Sequence, residues 1–193
     1  MKLIIPCVGK SSRYPNMPPK WILPDHEGVP MIARSVEGLN FAPEDLVVTI
    51  MKEHEEKFGI RKGLAEAFDY PVQVVVLDEQ TESQSETVVE TLRRAQIEEP
   101  FMIKDSDNSF QIDHITAPTS YVTVASLNDF DMINPRNKSY VTVDHEDFIT
   151  SIREKKVISD LFSVGGYYFR SPASFISAYE KLKSSSAFCE SEI

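Results

Sequence analysis

Cysteine is scarce: Cys7 and Cys189 stand at opposite ends of a 193-residue chain, without the spacing of a disulfide framework or of a zinc site. That scarcity suits a reducing compartment. The chain also lacks any run approaching the roughly 18 consecutive apolar residues that a membrane span needs, and Met1–Val8 carries no basic leader or cleavage site. The expectation is a cytoplasmic protein with no membrane partner. Positive charge is the third shortage: 20 Lys and Arg face 30 Asp and Glu, for a net charge of −10, and no Lys/Arg block stands out. A nucleic-acid partner is therefore not expected. The four histidines, His26, His54, His114 and His145, show no metal-ligand spacing, and His54, among Lys52, Glu53, Glu55, Glu56 and Lys57, reads as an exposed helical residue.

What the chain does have is enough apolar content, 41%, for one sizeable core, so residues 1–193 read as a single domain. Lys2–Val8 is an apolar run of strand length, ended by Gly9 and followed by a polar loop through Lys20. Pro30–Leu39 has helical spacing of Ile32, Val36 and Leu39. Strands follow at Leu46–Met51, Val72–Leu77 and Phe101–Ile103, with helices at Glu53–Phe68 and Ser83–Gln96. This alternation predicts an α/β fold, a mostly parallel sheet with helices on both faces, whose ligands bind at the carboxyl ends of the strands. Beyond Asp107 the character changes. Tyr121–Val124, Tyr140–Val143, Phe148–Ile152 and Phe162–Phe169 read as strands with few helices between them, so the sheet is mixed. A last helix starts at Ser171-Pro172 and runs to about Leu182.

The segment most suggestive of chemistry is Gly9-Lys10-Ser11-Ser12-Arg13-Tyr14-Pro15, running on to Pro19-Lys20-Trp21 directly after the first strand. Small residues at such a junction let backbone N–H groups approach a phosphate, and Arg13 and Lys20 can neutralise its charge. On spacing alone the segment reads as a loop with two surface cations, because small-residue loops after strands are common. Thr81-Glu82-Ser83-Gln84-Ser85-Glu86-Thr87-Val88 reads as a capped helix start, Ser83 and Glu86 matching a capping box. Asp105 and Asp107 stand two residues apart at a strand end, either an acidic turn or a pair aimed at one hard cation. Glu154 and Lys155 read by themselves as a solvated charge run. Trp21 reads as packing.

Taken in order, these segments resemble the sugar-phosphate nucleotidyltransferases, the family of glucose-1-phosphate thymidylyltransferase and its uridylyl and cytidylyl relatives. Gly9, Ser11, Ser12 and Arg13 take the places of that family's Gly-x-Gly-Thr-Arg, and Pro19-Lys20 those of its Pro-Lys. Trp21-Ile22-Leu23-Pro24 and Gly28-Val29-Pro30-Met31-Ile32 look like its leucine-proline and Gly-x-Pro-Met-Ile segments. Thr81–Val88 resembles Thr-x-Gly-Gln-Ala-Glu-Thr-Val. Ser11 and Ser83 depart from the pattern, each replacing a glycine.

The resemblance implies a Rossmann-like sheet of the nucleotide-diphospho-sugar transferase type. It also implies an enzyme joining a nucleoside triphosphate to a sugar 1-phosphate or similar phosphorylated acceptor, with release of pyrophosphate. It makes Arg13, Lys20 and Asp107 catalytic and gives the nucleotide to Gly9, Ser11, Ser12 and Gln84. Mg²⁺ falls to Asp107, with Asp105 as a second or water-mediated ligand. Glu154, Lys155 and Gly165 are assigned to the acceptor. Surface-polysaccharide precursor synthesis, such as capsule, is implied at family level, and a homo-oligomer is compatible with it. The family's second magnesium-binding aspartate has no counterpart after Phe169, so the resemblance implies either a sequence cut short within the domain or a second aspartate that is dispensable. Two rival readings remain: a metal-dependent glycosyltransferase gripping a nucleotide-sugar through Asp105-Ser106-Asp107, and a non-catalytic nucleotide-binding domain.

Overall fold

The computed structural model describes residues 1–9 and 17–185. At its centre is strand β1 (Lys2–Cys7), buried on both sides because its apolar side chains alternate between two cores. Leu3, Ile5 and Cys7 join one core and Ile4 the other. Strand β2 (Leu46–Met51) lies beside it, with all six residues buried. Withdrawing one such Leu or Ile side chain from water contributes about 1.5–3 kcal/mol, so these two strands anchor the molecule.

Two helices separate β1 from strand β3 (Gln73–Leu77) on the far side of β2, along with helix α1 (Met31–Val36), which precedes β2. They are α2 (Lys52–Phe58) and α3 (Ile60–Ala67). The expected single helix over Glu53–Phe68 is thus broken at Gly59, which adopts φ 61° and ψ 47°. Left-handed backbone ends α2, the Gly59 N–H bonding to the Glu55 carbonyl at 2.9 Å, and re-aims the chain so that Ile60 and Leu64 reach the core. His54 corrects a second expectation, being only 8% exposed. Because α2 follows β2 without a loop, its first turn packs over the end of the sheet and draws His54 inward.

Helix α4 (Gln84–Arg94) begins as its residues dictate. Ser83 Oγ accepts from the Glu86 N–H at 3.1 Å, and Glu86 Oε2 accepts in return from the Glu82 N–H at 2.7 Å, the reciprocal capping worth about 1 kcal/mol. The helix leads into β4 (Phe101–Lys104), which pairs parallel to the other side of β1. The remaining strands, β5 (Tyr121–Ser126), β6 (Ser139–Val143), β7 (Ile149–Glu154) and β8 (Leu161–Phe169), pair antiparallel. The sheet order is β3-β2-β1-β4-β8-β6-β7, with β5 on β8. This is the mixed α/β sheet expected from the sequence.

Helices cover both faces. Ile32, Ala33 and Val36 of α1 and Ile60 and Leu64 of α3 close one core, while Val88 and Leu92 of α4 close the other. Helix α5 (Pro172–Ser184), capped by Ser171 as expected, packs Phe175 and Ile176 against the second core. It is tied to α4 by Arg93–Glu180 at 2.5 Å and Lys183–Glu86 at 2.6 Å. Among the described residues no helix is long and apolar enough to cross a membrane.

The turn into α1 is organised by Asp25. One carboxylate oxygen accepts from the N–H groups of Glu27 and Val29 at 2.8 and 3.0 Å, and the other accepts from Arg34 Nε at 2.7 Å. The Arg34 hydrogen bond, against desolvation and with help from the two backbone donors, holds the Asp25 carboxyl down to about 2. A carboxyl whose folded pKa lies below its unfolded value near 4 adds stability above that value and loses it as the pH falls toward 2. Wild type should therefore melt above an Asp25→Asn variant at pH 7, with the gap closing between roughly pH 4 and pH 2. A gap unchanged across that range in parallel thermal melts would show that the ionised carboxylate is not what matters.

Candidate functional site

The parallel register of β1 with β2 and β4 places the carboxyl ends of β1 and β4 side by side, Ile4 opposite Ile103. Beyond the end of β1 lies Gly9, which is exposed and beside which an added Cβ would meet nothing within 4 Å among the described residues. Ser11, Ser12 and Arg13 lie outside the described residues. The chain re-enters the described region before Lys20, which stands exposed at the start of a short 3-10 turn, Lys20–Ile22. Trp21 beside it is buried in the core as expected, 3% exposed.

The loop after β4, residues 105–108, meets Lys20. Lys20 Nζ lies 2.5 Å from Asp107 Oδ2 across 87 residues of sequence. Both side chains are about half exposed, at 53% and 41%, so the pair contributes little to stability. Its importance is chemical, since it leaves an accessible cation and an accessible carboxylate at one strand end. Cys7, at the end of β1, hydrogen-bonds Ser106 of the same loop. Burial drives its thiol well above the usual range, the hydrogen bond opposing and the Asp107 charge adding, so Cys7 is an inert packing residue.

Asp105 and Asp107 have different surroundings. Asp105 is half-buried, and its Oδ1 accepts from Gln84 Nε2 at 2.7 Å. Burial raises its carboxyl above the usual carboxylate range, with the Gln84 bond opposing and the Asp107 charge reinforcing. Gln84 and Asp105 thus join the start of α4 to the loop. Asp107 faces outward. Among the described residues no three or more His, Cys, Asp or Glu side chains converge as a metal site. A cation here would rest on one protein carboxylate, that of Asp107, and on water, a ligand set of the kind that hard divalent cations accept.

Gly165 closes the loop from below. It adopts φ +80°, and a Cβ there would lie 2.4 Å from Asn108 Nδ2 and 2.5 Å from Asp105 Oδ2. The Asp105 N–H bonds to the Gly165 carbonyl at 2.8 Å, continuing the ladder in which Lys104 pairs with Gly166. The space beside Gly165 is therefore filled by the aspartate loop. Glu154 and Lys155 sit farther out at the end of β7, exposed and paired with each other at 3.3 Å, Lys155 in left-handed backbone at φ 55°. Between the two groups stands Tyr167, whose hydroxyl accepts from Ser163 Oγ at 3.0 Å. Burial raises its phenol, and the charges of Asp105 and Glu154 reinforce the shift.

Tyr167 lies in the segment Phe162–Phe169 that resembles the family's Gly-x-Tyr-x-Phe pocket strand, whereas Lys104 drew no role from the sequence. The signal for Lys104 was present: a lysine closing a strand otherwise wholly apolar, Phe101-Met102-Ile103, in a position buried on both faces. It is fully buried, and burial pulls its ammonium down to about 8 against the attraction of Asp105 and Asp107.

No protein-family model matches the chain, and no curated protein does. Solved structures do match. A nucleoside-diphosphate-sugar pyrophosphorylase from Vibrio cholerae superposes with a TM-score of 0.73 at 20% identity, over 95% of this chain and 79% of that one. The inositol-1-phosphate CTP transferase from T. maritima gives 0.70 at 16% identity, over 98% and 76%. A UDP-glucose pyrophosphorylase complexed with UDP-glucose gives 0.64 at 17%, over 93% and 79%. At these identities the likeness is one of fold, and the fold is the one the sequence resemblance implied.

The packing at Gly165 can be tested directly. Gly165→Ala puts a side chain into left-handed backbone, costing about 1–3 kcal/mol, and displaces Asp105 or Asn108 as well. The midpoint of urea unfolding should fall accordingly, and a variant unfolding at the wild-type urea concentration would show that the loop yields freely.

Proposed function

We propose that this protein is a nucleotidyltransferase that joins a nucleoside triphosphate to a phosphorylated small molecule, of the sugar 1-phosphate class, and releases pyrophosphate. The observation that carries the reading is the meeting of Lys20 and Asp107 at the carboxyl ends of β1 and β4. This is where ligands bind in open α/β sheets. The structural neighbours support the chemistry by their names, two being pyrophosphorylases of sugar nucleotides and one a CTP transferase acting with inositol 1-phosphate.

In this reading an oxygen of the acceptor phosphate attacks the α-phosphorus in line. A new P–O bond forms as the bridge between the α- and β-phosphorus breaks, and its electron pair leaves with pyrophosphate. A phosphate dianion is already nucleophilic, so no general base is needed, and the residues act by placing charge. Lys20 turns from Asp107 to neutralise the triphosphate, a task the family resemblance gives to Arg13 as well. Asp107 would hold Mg²⁺, which when bound supplies charge neutralisation on the phosphate oxygens. Gln84 orients Asp105 and fixes the loop that carries Asp107. Glu154 and Lys155 would receive the acceptor, the lysine its phosphate and the glutamate its hydroxyls. A glycosyltransferase gripping its donor with both aspartates is less favoured, because Asp105 is engaged by Gln84.

Two measurements test this. Saturation with the right triphosphate and Mg²⁺, at about 100 times its dissociation constant, should stabilise the chain by about 2.7 kcal/mol, a clear rise in melting temperature. In a pyrophosphate-release assay with sugar 1-phosphates, Lys20→Ala should lower turnover at least about a hundredfold, and Asp107→Ala should remove the response to Mg²⁺. Near-normal turnover in Lys20→Ala would overturn the catalytic assignment. Stabilisation by an intact nucleotide-sugar alone would favour the glycosyltransferase, and stabilisation without turnover a non-catalytic binding domain.

A further inference from the structure

We propose that Lys104 is a positioning residue, an internal cation around which the loop 105–108 is wrapped and which fixes the direction in which Asp107 points. This inference deepens the nucleotidyltransferase reading and rests on it where Asp107 is concerned. The geometry is that of a hub. Lys104 closes β4 with none of its surface exposed, and its Nζ donates to the Asp105 carbonyl at 2.6 Å, the Asn108 carbonyl at 2.7 Å and Asn108 Oδ1 at 2.5 Å. An ammonium has three donors, and all three are used. Every acceptor comes from the first four residues after the lysine, so the loop closes on the side chain of the residue that precedes it. The face of Phe110 lies 5.0 Å from the same nitrogen and covers it.

Two backbone carbonyls aimed at one point cannot turn outward without leaving a buried ammonium short of partners, which is costly. Asp107 sits between those two carbonyls in sequence, so its backbone is held at both ends, and its carboxylate is free to face Lys20 and solvent. Gly165 completes the restraint from β8, since it accepts the Asp105 N–H and leaves no gap beneath Asp105 and Asn108. Neither methionine nor arginine can take over. Methionine offers no donor to the three acceptors, and a guanidinium, with at most two N–H groups on any nitrogen, cannot donate three bonds from a single atom.

The test combines a readout of loop order with one of function, on the full chain. Hydrogen exchange of the amides in 105–110 should quicken at least tenfold in Lys104→Met and in Lys104→Arg, while β1 and β2 keep their protection. The Mg²⁺ concentration giving half-maximal pyrophosphate release should rise at least tenfold in both, with the KM for the acceptor unchanged. Loss of general stability alone would not produce that split. Asp107→Asn should show the reverse pattern, a protected loop with the Mg²⁺ response gone. If Lys104→Met does not fold, Asn108→Ala and Phe110→Leu, which each remove one contact of the ammonium, should quicken exchange in 105–110 by a smaller factor. Unchanged exchange in the folded variants overturns the proposal. Should the wild type bind no triphosphate, the functional reading fails while the exchange comparison still decides the role of Lys104.

Discussion

The arrangement depends on one constraint, that β1 is covered on both faces and flanked on both edges by parallel strands. Its apolar alternation, Leu3, Ile5 and Cys7 one way and Ile4 the other, leaves it no stable place but the middle of the sheet. Parallel neighbours in turn require crossovers, and the crossovers here bring α1 to one face and α4 to the other. The carboxyl ends of β1 and β4 are then adjacent whatever their loops contain. The ion pair at this end is a consequence of packing at the centre, since Lys20 and Asp107 are far apart in sequence and meet because the sheet and its covering helices bring them together.

Electrostatics sharpen the same point. A chain of net charge −10 repels a polyanion at long range, so phosphate binding would require cations concentrated at short range. Lys20 sits at the strand end, and Lys104 is buried under the loop that carries Asp107, too deep to touch a ligand but able to offset the two aspartates of the loop. The exposed lysine and exposed aspartate pair with each other. In the proposed reaction each would exchange that partner for a stronger one, a phosphate for the lysine and a divalent cation for the carboxylate. An exposed ion pair is weak enough to permit the exchange.

Local signals in the sequence predicted local structure well. Ser83 with Glu86 foretold the start of α4, Ser171-Pro172 the start of α5, and the apolar runs the four parallel strands. The signals failed where tertiary packing overruled periodicity. Nothing in Lys52–Lys57 marks His54 as buried, because its burial follows from α2 beginning where β2 ends. Gly59 was a visible breaker inside a helical pattern, and its left-handed conformation is what cut the pattern in two. Of the site, the meeting of Lys20 with Asp107 was legible only through family resemblance. Lys104 was legible in principle, as a charge where the strand pattern demands an apolar residue, but its role required the three acceptors to be seen together.

The two aspartates of the loop show how a single residue pattern yields two different surroundings. They are two positions apart, and a strand-end reading makes them equivalent. They are not, because α4 begins where it does. The Ser83 cap fixes the first turn of that helix, which places Gln84 within 2.7 Å of Asp105 and commits that carboxylate to the protein. With Asp105 drawn inward over Gly165 and the loop closed around Lys104, the next carboxylate has one direction left to face. The outward aim of Asp107 thus follows from a helix cap, a left-handed glycine and a buried lysine, none of which needs to touch a substrate.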